Sequence, residues 1–216
     1  MFVDEPRYVK EPPEKPMVVE PVTLRGQYVR LEPMSMAHHD DLCKAVIDPD
    51  LWRWFPGFVN TPDEMRAFME QALKLQTEGN TLPFTTFYKS GNQVVGMTRF
   101  LTIDSHSRHV EIGATLVSKP WQRTPVNTEA KYLMLRHAFE TWGCLRVELK
   151  TDSLNEKSRT SLTRLGAKEE GTFRNHIICQ DGRVRHTIYF SITDEEWPKI
   201  KAELEIKLAR PYLPQA

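Results

Sequence analysis

The chain of 216 residues lacks an excess of charge of either sign, has little cysteine and contains no long apolar run. Its 29 lysines and arginines balance its 29 aspartates and glutamates, which argues against a nucleic-acid-binding protein with a broad basic face. No apolar stretch approaches the roughly 20 residues that a membrane-spanning helix needs. The three cysteines, Cys43, Cys144 and Cys179, are far apart, which disfavours a disulfide framework or a CxxC site. We therefore expect a protein of a reducing, cytoplasmic compartment with no membrane or nucleic-acid partner.

The composition is that of a folded domain preceded by a proline-rich segment. Hydrophobic residues make up 40% of the chain and aromatic residues 10%, which excludes a disordered or fibrous protein. Residues 1–21 contain five prolines and charges of both signs, without the apolar core of a secretory signal. We expect this segment to be an extended arm that is ordered only where it docks, or a leader without a role. One domain should follow over residues 22–216.

Hydrophobic periodicity and helix-capping signals predict the order of the elements. The clearest helix begins at Thr61, which has Glu64 in capping-box spacing. A strand at 109–117, a helix at 127–142 and a strand at 145–150 form a unit whose two strands are parallel. Further strands are predicted at 23–31, 82–89, 94–103, 172–179 and 184–192, and further helices at 36–47, after Asn155 and after Thr193. The predicted fold is an α/β (α+β) domain with a single, mostly antiparallel twisted sheet of about seven strands flanked by helices.

Two segments resemble a known family. The strand that ends near Leu116 is followed by Trp121-Gln122-Arg123-Thr124-Pro125-Val126-Asn127-Thr128-Glu129-Ala130, and the next helix begins with Asn155-Glu156-Lys157-Ser158. From about Thr23 to Leu208 the chain resembles the GNAT superfamily of acetyl-CoA-dependent N-acetyltransferases. It is most similar to the RimJ/RimL-type branch, which is named for ribosomal-protein N-terminal acetylation. The resemblance implies a splayed central pair of parallel strands, acetyl-CoA as co-substrate, no metal, and direct attack of a primary amine in a ternary complex.

The resemblance also implies that the helix at 127–142 binds the pyrophosphate of acetyl-CoA. A helix N-terminus presents unpaired N–H groups and a partial positive charge to an anion. The family pattern is Gln/Arg-x-x-Gly-x-Gly/Ala, in which Gln122 matches and Pro125 and Asn127 replace the glycines. An ordinary capped helix is the alternative to a phosphate site. The residues implied to contact acetyl-CoA are Leu116, Val117, Gln122, Arg123, Thr124, Val126, Asn127, Thr128, Asn155 and Ser158.

The family's catalytic roles fall on a few residues of this sequence. Ser158 is the acid expected to protonate the CoA thiolate, and local satisfaction of its hydroxyl is an equal alternative. Glu111 borders the expected acetyl position and is a candidate base, unless it points away or pairs with a cation. Ile177 replaces the glutamate that is the base in RimL-like enzymes, so the adjacent His176 is a second candidate, with a structural role as the alternative. A backbone N–H near Leu116 is the expected oxyanion donor.

The sequence leaves the acceptor open. Trp52, Trp54 and Phe55 correspond to the family's acceptor-site wall, and a hydrophobic plug over the core is the equal alternative. Three arginines of the last hairpin, Arg174, Arg183 and Arg185, could attract an acidic acceptor or partner, although such charges more often form a solvated face. The acceptor is either the α-amine of a protein N-terminus or a small-molecule amine. A non-catalytic acyl-CoA-binding sensor or partner-binding module is the alternative to an enzyme, and a homodimer is also considered.

Overall fold

The computed structural model describes residues 7–9 and 17–212, and in this part of the chain eight strands form one sheet. The strands are β1 Leu24–Arg25, β2 Val29–Pro33, β3 Thr81–Tyr88, β4 Gln93–Asp104, β5 His109–Val117, β6 Arg146–Asp152, β7 Lys168–Ile178 and β8 Val184–Thr193. The α-helices are α1 His39–Val46, α2 Pro49–Trp52, α3 Pro62–Thr77, α4 Pro125–Arg136, α5 Glu156–Leu165 and α6 Trp197–Leu208. The sheet order is β1-β2-β3-β4-β5-β6-β8-β7, with β5 and β6 parallel and the other neighbours antiparallel. The predicted fold class is confirmed, with eight strands rather than about seven.

The additional strand arises because the segment predicted as one strand over 23–31 is divided into β1 and β2. A carboxylate of α4, that of Glu129, holds the intervening turn. It accepts three backbone N–H groups at 2.7 Å each, those of Gln27, Tyr28 and Val29. A Cβ atom at Gly26 would lie 2.3 Å from Glu129 Cδ, so a larger residue at this position would displace the carboxylate that holds the turn. The break is therefore imposed by a helix that lies far away in the sequence.

Two hydrophobic cores lie on opposite faces of the sheet. One core, which includes Leu133 and Phe190, packs α4, α5 and α6 against the strands. The other, which includes Met65 and Met97, packs α1 and α3 against β3, β4 and the end of β5. On this second face, β6 and β8 carry polar and charged residues at alternate positions instead of apolar ones. The second face is thus apolar at one end of the sheet and polar at the other.

A capping box fixes the start of α3, whereas only part of the predicted one forms before α6. Both hydrogen bonds of the predicted capping box are present in α3: Glu64 N–H donates to Thr61 Oγ1 at 3.2 Å, and Thr61 N–H donates to Glu64 Oε2 at 3.1 Å. At α6, Glu196 Oε2 accepts the Thr193 N–H at 2.9 Å. A turn over 194–196 precedes α6, so Thr193 does not cap it and only this half of the second predicted capping box forms.

The helix predicted at 127–142 begins earlier, at Pro125. Thr124 is its N-cap, and its Oγ1 accepts the Val126 N–H at 3.3 Å. Proline at the first helical position loses no hydrogen bond, because this position has no intrahelical acceptor. After Arg136 the helix continues as a π-helical segment, His137–Thr141, so the predicted C-terminal end is close to the observed one.

The described part of the predicted N-terminal arm contacts the domain. Arg7 forms an ion pair with Asp194 at 2.6 Å. Trp142 Nε1 donates to the carbonyl oxygen of Val18 at 2.9 Å. The remaining residues of the predicted arm lie outside the described part of the chain. Within the described residues, no helix is both long enough and apolar enough to cross a membrane.

Candidate active site

The central parallel strands separate and leave an opening in the sheet. β5 and β6 share three residue pairs, His109–Arg146, Val110–Val147 and Glu111–Glu148. β5 continues to Val117, so its edge over 112–117 faces an opening rather than β6. Ala114 has a φ of 45°, and the register with β4 shifts at this level, which marks a β-bulge beside the opening. The outer end of the opening leads to the N-terminus of α4.

The backbone of β5 directs specific N–H groups into this opening. Ser118 N–H donates to Val95 O at 2.9 Å, so it points towards β4. N–H directions alternate along a strand, and Leu116 N–H therefore also points towards β4, where Leu116 pairs with Met97. The same alternation directs the Val117 N–H into the opening, whereas the bulge interrupts the alternation before Leu116. Of the amides predicted near Leu116, that of Val117 is therefore the one that can meet a ligand in the opening.

The loop before α4 holds the residues predicted to bind pyrophosphate. Gln122 Nε2 donates to Val117 O at 3.1 Å and ties the loop to the end of β5. Arg123 adopts a φ of 61°, a left-handed conformation at a position where the family pattern places no glycine. The Val126 N–H is already bonded to the Thr124 cap, and the Thr128 N–H is the first with an acceptor four residues earlier in the helix, the carbonyl of Thr124. The amides best placed for an anion are therefore those of Arg123, Thr124 and Asn127.

The residues around the opening fit an extended acyl-CoA arm. Asn127 Oδ1 is buried and has no hydrogen-bond partner among the described residues. Gly96 allows β4 to approach β5 closely, because a Cβ atom there would lie 2.1 Å from Leu116 O. The opening thus has unsatisfied polar atoms along its walls and a strand edge that can pair with amide groups of a ligand.

Glu111 lies at the inner end of the opening, on the sheet face opposite α4. Its side chain is buried, with the residue 2% exposed, and its Oε2 is 2.8 Å from Lys150 Nζ on β6. Its Oε1 is buried without a hydrogen-bond partner in the described part of the chain. Gly113 leaves room for this carboxylate, because a Cβ atom there would lie 2.7 Å from Glu111 Oε1. Glu111 therefore pairs with a cation and keeps one oxygen available to a further donor.

The start of α5 places Asn155 and Ser158 beside the end of β6. Asn155 is the N-cap, and its Oδ1 accepts the Ser158 N–H at 3.1 Å. Ser158 is half-buried. The side-chain oxygen of Asn155 is thus used within the helix cap, and the two residues form one local unit.

The three aromatic residues predicted to form the acceptor-site wall divide between two roles. Trp52 is 3% exposed, donates from Nε1 to Val46 O at 2.8 Å and packs on Phe55, so these two residues form the hydrophobic plug. Trp54 is half-buried, and the guanidinium of Arg183 lies 5.6 Å from its ring centroid. Arg185 donates to Trp54 O at 3.1 Å. Trp54 is the member of the set that lies at the polar end of the sheet face.

His176 lies further from the opening. It is exposed in a bulge of β7, where the register with β8 shifts between Phe173 and Ile177. Its ring is 5.9 Å from that of Tyr189, whose ring is in turn 5.8 Å from Lys150 Nζ. His176 therefore shares a sheet face with Glu111 but is separated from it by two side chains.

Several buried charges near the opening were not predicted from the sequence. Lys131 on α4 is 6% exposed, and burial lowers its pKa to about 7, while the carboxylate of Glu111 acts in the opposite direction. Burial also lowers the pKa of Arg99 on β4 to about 10. Asp152 at the end of β6 accepts Arg183 Nη1 at 2.7 Å and the Leu154 N–H at 2.9 Å. The one local signal for Lys131 is that apolar or aromatic residues directly precede and follow it in the sequence: Ala130, Tyr132, Leu133, Met134 and Leu135.

Comparison with known families accounts for this geometry. The family model described as Acetyltransferase (GNAT) domain matches residues 29–168, which include the opening, the loop before α4 and the start of α5. The chain belongs to the GNAT acetyltransferase family. The predicted family and the predicted enzyme class are thereby confirmed. This GNAT chain is an acetyl-transferring enzyme.

Relatives support the same assignment at differing levels of identity. A GCN5-related N-acetyltransferase from Brucella melitensis superposes with a TM-score of 0.82 at 31% identity, covering 88% of this chain and 87% of that one. RimJ of Mycobacterium smegmatis, solved with CoA-disulfide, shares the fold with a TM-score of 0.75 at 22% identity, covering 88% and 96%. YdaF of Bacillus subtilis (strain 168), named as a candidate ribosomal N-acetyltransferase, is 30% identical over 47% of this chain and 55% of its own length. The match therefore spans little more than half of that relative.

Proposed function

We propose that this GNAT enzyme transfers the acetyl group of acetyl-CoA to a primary amine, and that the amine is the N-terminal α-amine of a protein or peptide. The observation that carries the proposal is the opening between β5 and β6. It runs from the N-terminus of α4 at its outer end to the buried carboxylate of Glu111 at its inner end. Acetyl-CoA supplies a thioester carbonyl, and the walls of the opening would position that carbonyl between the two sheet faces.

Each wall of the opening has a distinct role in this proposal. The amides of Arg123, Thr124 and Asn127 would hold the pyrophosphate, and the Val117 N–H would donate to the oxyanion that develops on the carbonyl. Glu111 Oε1 would accept the proton that the attacking amine loses. These residues act mainly by binding and orienting, since the reaction needs no group beyond the amine and the thioester.

An α-amine suits this site better than a lysine side chain. At pH 7 an α-amine is neutral in roughly one molecule in 7, whereas a lysine amine is neutral in about one in 2,500. Glu111 Oε2 is already paired with Lys150 Nζ at 2.8 Å, which leaves Oε1 to receive the proton of the amine. A uS5-alanine N-acetyltransferase of Escherichia coli (strain K12), 21% identical over 63% of this chain and 70% of that protein, acts on a protein alanine according to its name.

A thiol-release assay tests the proposal. We expect purified protein to release CoA from acetyl-CoA in the presence of N-terminal peptides, and to do so faster than with small amines. Glu111→Gln should lower kcat at least about tenfold with little change in the KM for acetyl-CoA, as expected for loss of a proton acceptor.

Calorimetry with acetyl-CoA provides the control for this assay. Saturable binding without turnover of any amine would favour the acyl-CoA sensor over the enzyme. Absence of saturable binding would contradict the proposed function altogether. Equal rates in the wild type and Glu111→Gln would remove the role of Glu111 and leave the acetyl transfer in place.

A further inference from the structure

The wall of the opening that α4 forms contains a charged group to which the proposed reaction assigns no role. Lys131 is 6% exposed, and its Nζ donates to Thr115 Oγ1 at 2.7 Å. In the part of the chain that the structure describes, this hydroxyl, and not a carboxylate, is its hydrogen-bond partner. An ammonium group has three N–H donors. Lys131 therefore has donors to offer to a ligand in the adjacent opening.

Asn127 indicates that this wall is shaped for a ligand. It lies four residues before Lys131 and therefore on the same face of α4. Its Oδ1 is buried and has no hydrogen-bond partner among the residues that the structure describes. Two polar side chains that the protein leaves incompletely bonded thus face the same side of the opening, and buried polar groups of this kind are normally paired.

The position of Lys131 along the opening selects the part of the ligand that it meets. Gln122 and the N-terminus of α4 lie at the outer end, and the paired residues of β5 and β6 close the inner end. Thr115, which holds Lys131, is two residues further in than Val117. An acyl-CoA arm that enters with its pyrophosphate at α4 therefore brings its sulfur end towards Thr115 and Lys131.

We propose that Lys131 is the proton donor to the CoA sulfur when the thioester bond breaks. This inference rests on the proposed function and deepens it. The electron pair of the C–S bond remains on sulfur, a proton moves from Nζ to sulfur, and the neutral lysine regains a proton from solvent. The amine loses its own proton on the side of Glu111, so amine and thioester become amide and thiol. Lys131 takes the role that the sequence assigned to Ser158.

The groups around Lys131 favour this exchange. Burial lowers the pKa of Lys131 to about 7, close to the pH at which a proton is both given and regained readily. On β5, Thr115 Oγ1 accepts from Lys131 Nζ at 2.7 Å, and the Thr98 hydroxyl of β4 lies 2.8 Å from that same oxygen. Glu111 is the carboxylate whose field reaches Lys131, and it is itself paired with Lys150 of β6.

The pH dependence of acetyl transfer tests the proposal. It is measured as the single-turnover rate of CoA release at saturating acetyl-CoA and acceptor, across neutral and alkaline pH. In the wild type we expect this rate to fall by up to about tenfold per pH unit once Lys131 has lost its proton, because only the protonated amine can donate to the sulfur. In Lys131→Met the rate should be lower and this fall at alkaline pH should be absent. Lys199→Met, on the exposed side of α6, is the matched control and should behave as the wild type.

Each other outcome overturns the proposal. A wild-type rate that does not fall at alkaline pH does so whether or not the variant folds, and leaves the proposed function standing if acetyl transfer is observed. A Lys131→Met protein with weaker binding of CoA and of desulfo-CoA, but with the same pH profile as the wild type, would show that Lys131 binds the pantetheine instead. Absence of CoA binding by the wild type would overturn the proposed function and this inference together.

Discussion

Burial of Lys131 should make the stability of the protein depend on pH. Its pKa is lowered from 10.5 to about 7 in the folded protein, so between these values the unfolded chain binds more protons. The cost of burying the charge is therefore fully present below pH 7 and disappears as the pH rises towards the unfolded value. The free energy of unfolding of the wild type should therefore rise with pH through this window, and that of a variant without this amine should lack this rise.

We accordingly expect Lys131→Met to be more stable than the wild type at neutral pH and below. The advantage should shrink by up to about 1.4 kcal/mol per pH unit as the pH rises from about 7 to 10. Urea denaturation of both proteins across this range measures the difference. A difference in the free energy of unfolding that does not vary with pH would mean that Lys131 is not charged and buried as described.

The sequence predicted which elements carry several candidate site residues but not their bonding. Gln122 lies in the loop before α4, Asn155 at the start of α5 and Glu111 on β5, and their roles in the reaction stay predictions. The direction of the Leu116 amide was not predictable, because it depends on the hydrogen bond of Ser118 across the sheet. Lysine is nearly always solvated, so a lysine in a helix gives little reason to expect burial of its charge.

The helix α4 contributes to both the opening and the far edge of the sheet. Besides Asn127 and Lys131, it carries Glu129, whose carboxylate accepts three N–H groups of the turn between β1 and β2. Removing an acceptor from buried donors leaves them unsatisfied, which is more costly than losing an exposed hydrogen bond. This contact should therefore hold β1 and β2 in position on the sheet.

Glu129→Gln should lower the free energy of unfolding by about 2–4 kcal/mol, since the amide presents N–H atoms to one of the donors. Glu203→Gln, at an exposed site on α6, is the matched control and should change stability by less than about 0.5 kcal/mol. Urea denaturation gives both values. A Glu129→Gln protein as stable as the control would show that the turn does not depend on this carboxylate.

Local signals predicted the helices better than the strand irregularities. The capping box at Thr61 lies within four residues and forms as predicted. The break between β1 and β2 depends on a carboxylate about 100 residues away, and the bulge at Ala114 depends on the register with β4. Interactions of this range leave no pattern in the neighbouring sequence.

At the scale of the whole molecule, substitutions in the two halves of the sheet should change different kinetic constants, one for each substrate. The strands up to β5 carry the proposed acetyl-CoA site, whereas β6, β8 and the loop around Trp54 carry polar groups on the proposed acceptor side. Arg183 connects the parts of this second half, because it contacts both Trp54 and the buried Asp152. Its loss should disturb the acceptor side alone.

Arg183→Met should raise the KM for the acceptor about tenfold and leave the KM for acetyl-CoA within about twofold of the wild type. Arg174→Met, on an exposed arginine of the same hairpin, is the matched control and should change neither value. Steady-state kinetics with each substrate varied in turn give the two constants. An equal effect on both constants would mean that Arg183 supports the fold as a whole rather than the acceptor side.

The order of strands β6-β8-β7 has a consequence for synthesis. β6 ends at Asp152, whereas its partner β8 begins at Val184 and pairs with it along its whole length. During translation the ribosome therefore releases the strands up to β6 before the strand that covers the edge of β6 exists. An exposed strand edge is a template for wrong pairing, so the nascent chain passes through a vulnerable interval. The acceptor side cannot assemble until β8 has left the exit tunnel, so a nascent chain that stops before β8 should lack acetyl transfer.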